Sequence, residues 1–113
     1  MNRPLREQTV LVTGAGRGIG RAIAERFAEA GMNVVVHYRK SHEAARETAE
    51  RCIARGAHAL TVAADLQSRE EVLRMKEMLG RQGLFPDILV NNAGIAHYGM
   101  LCDVDEETWD RII

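Results

Sequence analysis

Thr13-Gly14-Ala15-Gly16-Arg17-Gly18-Ile19-Gly20 lies between an uninterrupted apolar run, Val10-Leu11-Val12, and a stretch in which apolar residues recur every three or four positions. A strand that passes through a glycine turn into a helix presents the unpaired N–H groups of the first helical turn and the positive end of the helix dipole to whatever sits in front of it. Both features favour an anion, above all a phosphate. The glycines have separate tasks in such a loop. Gly14 allows the tight turn, Gly18 lets backbone and ligand approach, and Gly20 permits close packing of helix on sheet, with Gly16, Arg17 and Ile19 completing the cradle. A glycine-rich turn also occurs with no ligand at all. The strand before it and the helix after it turn the pattern into a dinucleotide-binding hypothesis.

The end of the second apolar run, Asn33 to His37, bears on which dinucleotide. An Asp or Glu about 20 residues past the glycines normally accepts from the ribose 2′-hydroxyl of NAD. Here Tyr38 takes that place, followed by Arg39 and Lys40, and Arg17 projects from the glycine loop toward the same side. Removing the carboxylate and adding guanidinium groups suits a 2′-phosphate, so the expected cofactor is NADP(H). The competing reading is that Arg39 and Lys40 are solvated residues at a strand end.

The elements that must position these residues alternate short apolar runs with longer amphipathic segments, the βαβα pattern of a parallel sheet. Strands are expected at Thr9 to Thr13, Asn33 to His37, His58 to Ala63 and Ile88 to Val90. The first helix carries an apolar stripe of Ile19, Ile23, Phe27 and Ala30 and closes at Gly31. The second starts after Ser41 as N-cap, buries Ala45, Ala49, Cys52 and Ile53, and closes at Gly56. Ser68-Arg69-Glu70-Glu71 reads as a capping box in which serine and glutamate satisfy each other's backbone donors. It opens a third helix with Val72, Met75 and Leu79 inside, broken by Gly80, Gly83 and Pro86. A fourth helix is expected from Asp105 through Ile113. The fold class is therefore α/β, the amino-terminal half of a Rossmann-like doubly wound parallel sheet of strand order 3-2-1-4.

Composition narrows the alternatives. The chain has 113 residues, a length that favours one domain, with 46% hydrophobic and 27% charged residues, as in an ordinary globular protein. Fifteen basic against sixteen acidic side chains leave a net charge of -1, which gives no footprint for nucleic acid or an anionic membrane. Cys52 and Cys102 make no zinc or disulfide pattern and are expected to be buried or idle thiols. His37, His42, His58 and His97 lack metal-ligand spacing and read as surface or strand-end residues, so no metal site is expected. No apolar leader follows Met1, and a cytoplasmic location is the default. The apolar residues that end the chain inside a helix suggest an amino-terminal part, residues 1–113, of something longer.

With these residues in place, the sequence resembles the short-chain dehydrogenase/reductase family, in its NADP-dependent subgroup near the 3-oxoacyl-acyl-carrier-protein reductases. The resemblance rests on Thr13 to Gly20, the basic end of the second strand, Asp65-Leu66 and Asn91-Asn92-Ala93-Gly94, and it covers essentially the whole chain. It implies that Asp65 and Leu66 flank the adenine and that Asn92, Ala93 and Gly94 line the ribose and nicotinamide side, with Asn91 structural. It also implies hydride transfer between a nicotinamide and a small carbonyl or alcohol, such as a 3-oxoacyl thioester or related ketone, and a homo-oligomeric, tetrameric parent.

The family's Tyr-x-x-x-Lys pair is not here. Tyr38 is followed four residues later by His42, and Tyr98 by Cys102. No catalytic residue is nominated, and the chain alone is expected to bind cofactor without turnover. His97 and Tyr98 either border a substrate pocket or serve the loop alone. A stand-alone nucleotide-binding or interaction module is the alternative reading. The open strand edge at Asp87 to Asn91, with the last helix, is expected to self-associate.

Overall fold

The structure is a computed structural model that describes residues 4–92. After a short 3-10 turn at Leu5–Glu7 the described elements are β1 (Thr9–Val12), α1 (Gly18–Glu29), β2 (Asn33–Tyr38), α2 (His42–Ala54), β3 (Ala59–Ala63), α3 (Arg69–Arg81) and β4 (Ile88–Val90). The strands form one parallel sheet in the order β3-β2-β1-β4, as the alternating pattern predicts. Val10 stands between Val34 of β2 and Ile88 of β4, and Leu11 between Val35 and Leu89. Every residue of β1 is buried, because helices cover both faces of the sheet.

The period-2 alternation of the strands sorts the core into two layers. Val10, Val12, Val34 and Val36 pack beneath Ala24 and Ala28 of α1 and Ala45, Ala49 and Cys52 of α2. Leu11, Val35 and Val62 pack on the opposite face under Val72, Met75 and Leu79 of α3. Cys52 is buried, as expected of an idle thiol; burial, helped by the nearby Glu25 carboxylate, pushes it up to about 11.

Several local expectations need correction. The buried face of α1 is Gly20, Ala24 and Ala28, with Ile23 and Phe27 partly buried beside it. Ile19 is 73% exposed and Ala30 is exposed as well, so the stripe runs one position later than the large side chains suggest. Turning the smallest residues inward lets the helix axis approach the strands, which the turn into α1 requires. Ile53 of α2 is also exposed, and the buried face there consists of Ala44, Ala45, Thr48, Ala49 and Cys52.

Ser41 makes no side-chain cap bond. Its ψ of 75° departs from the extended value that aims a hydroxyl at the helix amides, and only its carbonyl joins in, accepting from Ala45 N. The capping box at α3 is half formed. Ser68 Oγ accepts from Glu71 N at 3.2 Å, but Ser68 N donates to Asp65 O, so the Glu71 carboxylate takes Asp65 N instead, at 2.8 Å. Gly80 lies inside α3, where a glycine costs about 1 kcal/mol without forbidding the helix. The expected helix at Asp105 lies outside the described residues.

Candidate functional site

The carboxyl ends of β1 and β2 converge beside the point where strand order reverses, between β1 and β4. Open α/β sheets bind ligands at such a switch point. An apolar cleft of about 320 Å³ at the opposite ends of β2 and β3, lined by residues such as Val34, Ala57 and Leu60, offers little polar surface.

The glycine loop is held from several sides. Thr13, fully buried, donates its N–H to Val90 O at 3.0 Å, and its hydroxyl lies 3.3 Å from both Val90 O and Asn91 Oδ1 while accepting from Asn92 N at 2.8 Å. Asn92 Nδ2 donates to Gly14 O at 3.1 Å. The Asn91-Asn92 pair thus welds the end of β4 to the loop. Gly20 completes that weld, although not as expected: a Cβ there would stand 2.5 Å from Gly14 O and 2.6 Å from Asn92 Nδ2. Its missing side chain makes room for the loop and Asn92 rather than for the sheet.

Two residues that sequence reasoning passed over clamp the other side. Arg21 Nη2 donates to Gly16 O at 2.9 Å and to Ala44 O at 3.1 Å, and its Nε donates to Thr48 Oγ1 at 2.9 Å. Thr48, buried in α2, lies with its hydroxyl 3.2 Å from Gly16 O. Arg21 also reaches Glu47 at 3.0 Å and holds that carboxyl below the usual carboxylate range. Gly16 itself fits against α2, since a Cβ would meet Ala44 Cβ and Ala45 N at 3.4 Å.

His37 requires the largest correction. Read from the sequence as a surface or strand-end residue, it is 2% exposed, with Nδ1 accepting from Gly14 N at 3.0 Å and Nε2 2.8 Å from Ala64 O. Its carbonyl accepts from Ala15 N. The signal was the strand period: His37 shares a face with Val35, on a strand covered from both sides, where a polar ring must find partners.

The amides of Gly14 and Ala15 are held by His37, and the loop is exposed at Arg17, Gly18 and Ile19. Arg17, the N-cap residue of α1, is extended (φ -150°, ψ 168°) and makes no side-chain cap bond, and the first turn contains no acid. Gly14 and Gly18 adopt φ of 60° and 58°, the left-handed region that side chains disfavour, and a Cβ at Gly18 would point into open space. In front lies an open cleft of about 330 Å³ lined by Gly14, Gly16, Arg17, Tyr38, Arg39, Lys40 and Ser41. The fold therefore gathers the cations of the loop and of the β2 end around one cleft.

Arg39 also leans on Asp65, at 3.4 Å with its own side chain 55% exposed. So long and solvated a pair holds little, and the guanidinium is able to turn toward a stronger anion. Asp65 Oδ1 accepts from Gln67 N, shaping the turn beyond β3. Leu66, 3% exposed, belongs to the core beneath α3. Ala93, Gly94, His97, Tyr98 and Cys102 lie outside the described residues. Among the described residues no group of three His, Cys, Asp or Glu side chains is placed to hold a metal, and no helix is long and apolar enough to cross a membrane.

An uncapped helix start, a glycine surface open to a ligand, and three cations around one cleft, Arg17 from the loop with Arg39 and Lys40 from the β2 end, suit a phosphorylated dinucleotide. This is the arrangement of a Rossmann-like nucleotide-binding protein. Residues 8–113 match the family model described as short chain dehydrogenase, and the chain belongs to that family.

It is 41% identical over 111 residues to versicolorin reductase 1 of Aspergillus parasiticus, covering 98% of this chain and 42% of that protein. It is 42% identical over 107 residues to the 3-oxoacyl-[acyl-carrier-protein] reductase FabG of Staphylococcus aureus, covering 94% and 43%. Among solved structures, the landomycin C-6 ketoreductase LanV with bound NADP and rabelomycin superposes with a TM-score of 0.71 at 46% identity, over 81% of this chain and 40% of that one. The chain thus spans less than half the length of the curated relatives it matches.

Proposed function

We propose that this chain is the cofactor-binding part of an NADP(H)-dependent oxidoreductase. The observation that carries the reading is the meeting of Arg17 with Arg39 and Lys40 in one cleft, before a helix that brings neither cap nor acid to its own first turn. The first-turn amides of α1 would hold the diphosphate, and the guanidinium groups a 2′-phosphate. Gly18 leaves room for the ligand, and the exposed Ile19 gives it an apolar surface. Asn92, Ala93 and Gly94 would border the ribose and nicotinamide, with Asp65 and Leu66 near the base. When bound, the cofactor supplies the hydride. This chain's residues bind and orient it.

The relatives named above support a small carbonyl substrate, a 3-oxoacyl thioester or related ketone, for the whole protein. A cytoplasmic, homo-oligomeric and tetrameric enzyme is part of the same proposal. The 113 residues contain no Tyr-x-x-x-Lys pair, so the chain alone is expected to be inactive. Calorimetric titration with NADPH and NADH side by side tests the cofactor reading. Charge-assisted bonds to the extra phosphate predict NADPH tighter by about 10- to 100-fold. Equal affinities, or no binding of either, would overturn it. NADPH oxidation by the chain with any ketone would overturn its inactivity.

A further inference from the structure

The ring of His37 ties three strand ends together: it sits on β2, takes the Gly14 amide from the loop after β1, and meets Ala64 O just past β3. These two ring contacts specify one tautomer. A backbone amide only donates and a carbonyl only accepts, so Nδ1 carries the lone pair and Nε2 the proton. We propose that His37, in this neutral Nε2–H form, is a positioning residue for the cofactor: by drawing the Gly14 amide inward it sets the loop so that its later amides face the ligand.

Three observations converge on this. Gly14 adopts a left-handed φ of 60°, and in that conformation its N–H meets His37 Nδ1 at 3.0 Å. The next amide, Ala15 N, is held by the same residue's carbonyl, so His37 takes two successive donors just before the loop becomes exposed at Arg17. Arg21 and Asn92 hold only carbonyls of the loop, those of Gly16 and Gly14. Among these side chains His37 alone fixes an amide. The inference rests on the cofactor reading above and assigns the acceptor that orients the loop.

Two variants separate positioning from mere packing. In His37→Asn the carboxamide oxygen stands where Nδ1 stood and keeps the Gly14 bond but abandons Ala64 O. In His37→Gln the longer amide reaches toward Ala64 O and leaves the Gly14 amide without its acceptor. NADPH titration is expected to find His37→Asn within about threefold of the parent chain and His37→Gln about tenfold weaker, at comparable melting temperatures. Nitrogen-15 spectra of histidine-labelled chain supply a readout independent of ligand and variants, with a pyridine-type Nδ1 and a pyrrole-type Nε2 expected for His37. The opposite tautomer, or two variants whose affinities follow only their stabilities, would overturn the proposal. NADPH binding that ignores His37→Gln would overturn this inference alone, whereas no binding by the parent chain would overturn the cofactor reading beneath it.

Discussion

Helices α1 and α3 both follow a parallel strand, yet their amino-terminal ends are equipped in opposite ways. At α3, Ser68 caps the Glu71 amide, Glu70 and Glu71 place negative charge against the dipole, and the Glu71 carboxylate reaches back to Asp65 N. At α1 the N-cap is Arg17, with no side-chain cap bond and no acid in the first turn. The first arrangement satisfies the helix from within the chain, and the second leaves its donors and dipole to an outside anion. Self-sufficiency and binding thus draw on the same few amides, and a helix end serves one or the other.

The comparison can be broken most severely at Gly20. Gly20→Ala sets a methyl group against Gly14 O and Asn92 Nδ2, and because both are fixed, the loop must move. NADPH affinity is expected to fall at least about 100-fold, well beyond the usual loss from one hydrogen bond, with a lower melting temperature; calorimetry beside thermal unfolding checks both. An unchanged affinity would mean that loop and ligand are uncoupled.

Making α1 resemble α3 sharpens the contrast. Arg17→Ser installs a neutral cap at an extended N-cap position. The ligand-free chain should gain about 0.5–1 kcal/mol in urea unfolding while NADPH binds about tenfold more weakly. Gains in both stability and affinity would show that the amides do not compete. The smallest effect is expected from the reverse change. Ser68→Ala should cost about 1 kcal/mol of stability and leave the NADPH affinity unaltered; a binding defect would mean that the two helix ends are not independent.

Much of this was legible in the residues because hydrophobic period and turn chemistry are local. The runs at Val10, Val34 and Ile88 gave the strands, and the glycines placed the loop. What escaped depended on distance in space. Arg21 and Thr48 lie 27 positions apart, and His37 and Ala64 also 27; no local pattern announces that the fold will join them. Ile19 and Ile53 misled for another reason. Hydrophobic period weights large side chains, whereas α1 and α2 approach the sheet through alanines and a glycine, so the true face was marked by small size. The Ser68-Glu71 signature located its helix and the serine's cap bond but not the glutamate's, since Ser68 N was already engaged by the turn at Asp65.

Asn92 joins both ends of the glycine loop from a separate stretch of chain, its backbone N–H on the Thr13 hydroxyl and its side-chain amide on Gly14 O against the bare Cα of Gly20. Anyone transplanting this loop into another scaffold would therefore have to carry over more than the octapeptide. The recipient needs an asparagine emerging from the adjoining strand and, for the far side, an arginine one turn into the helix. Without those companions a copied glycine string has the right letters and no fixed shape.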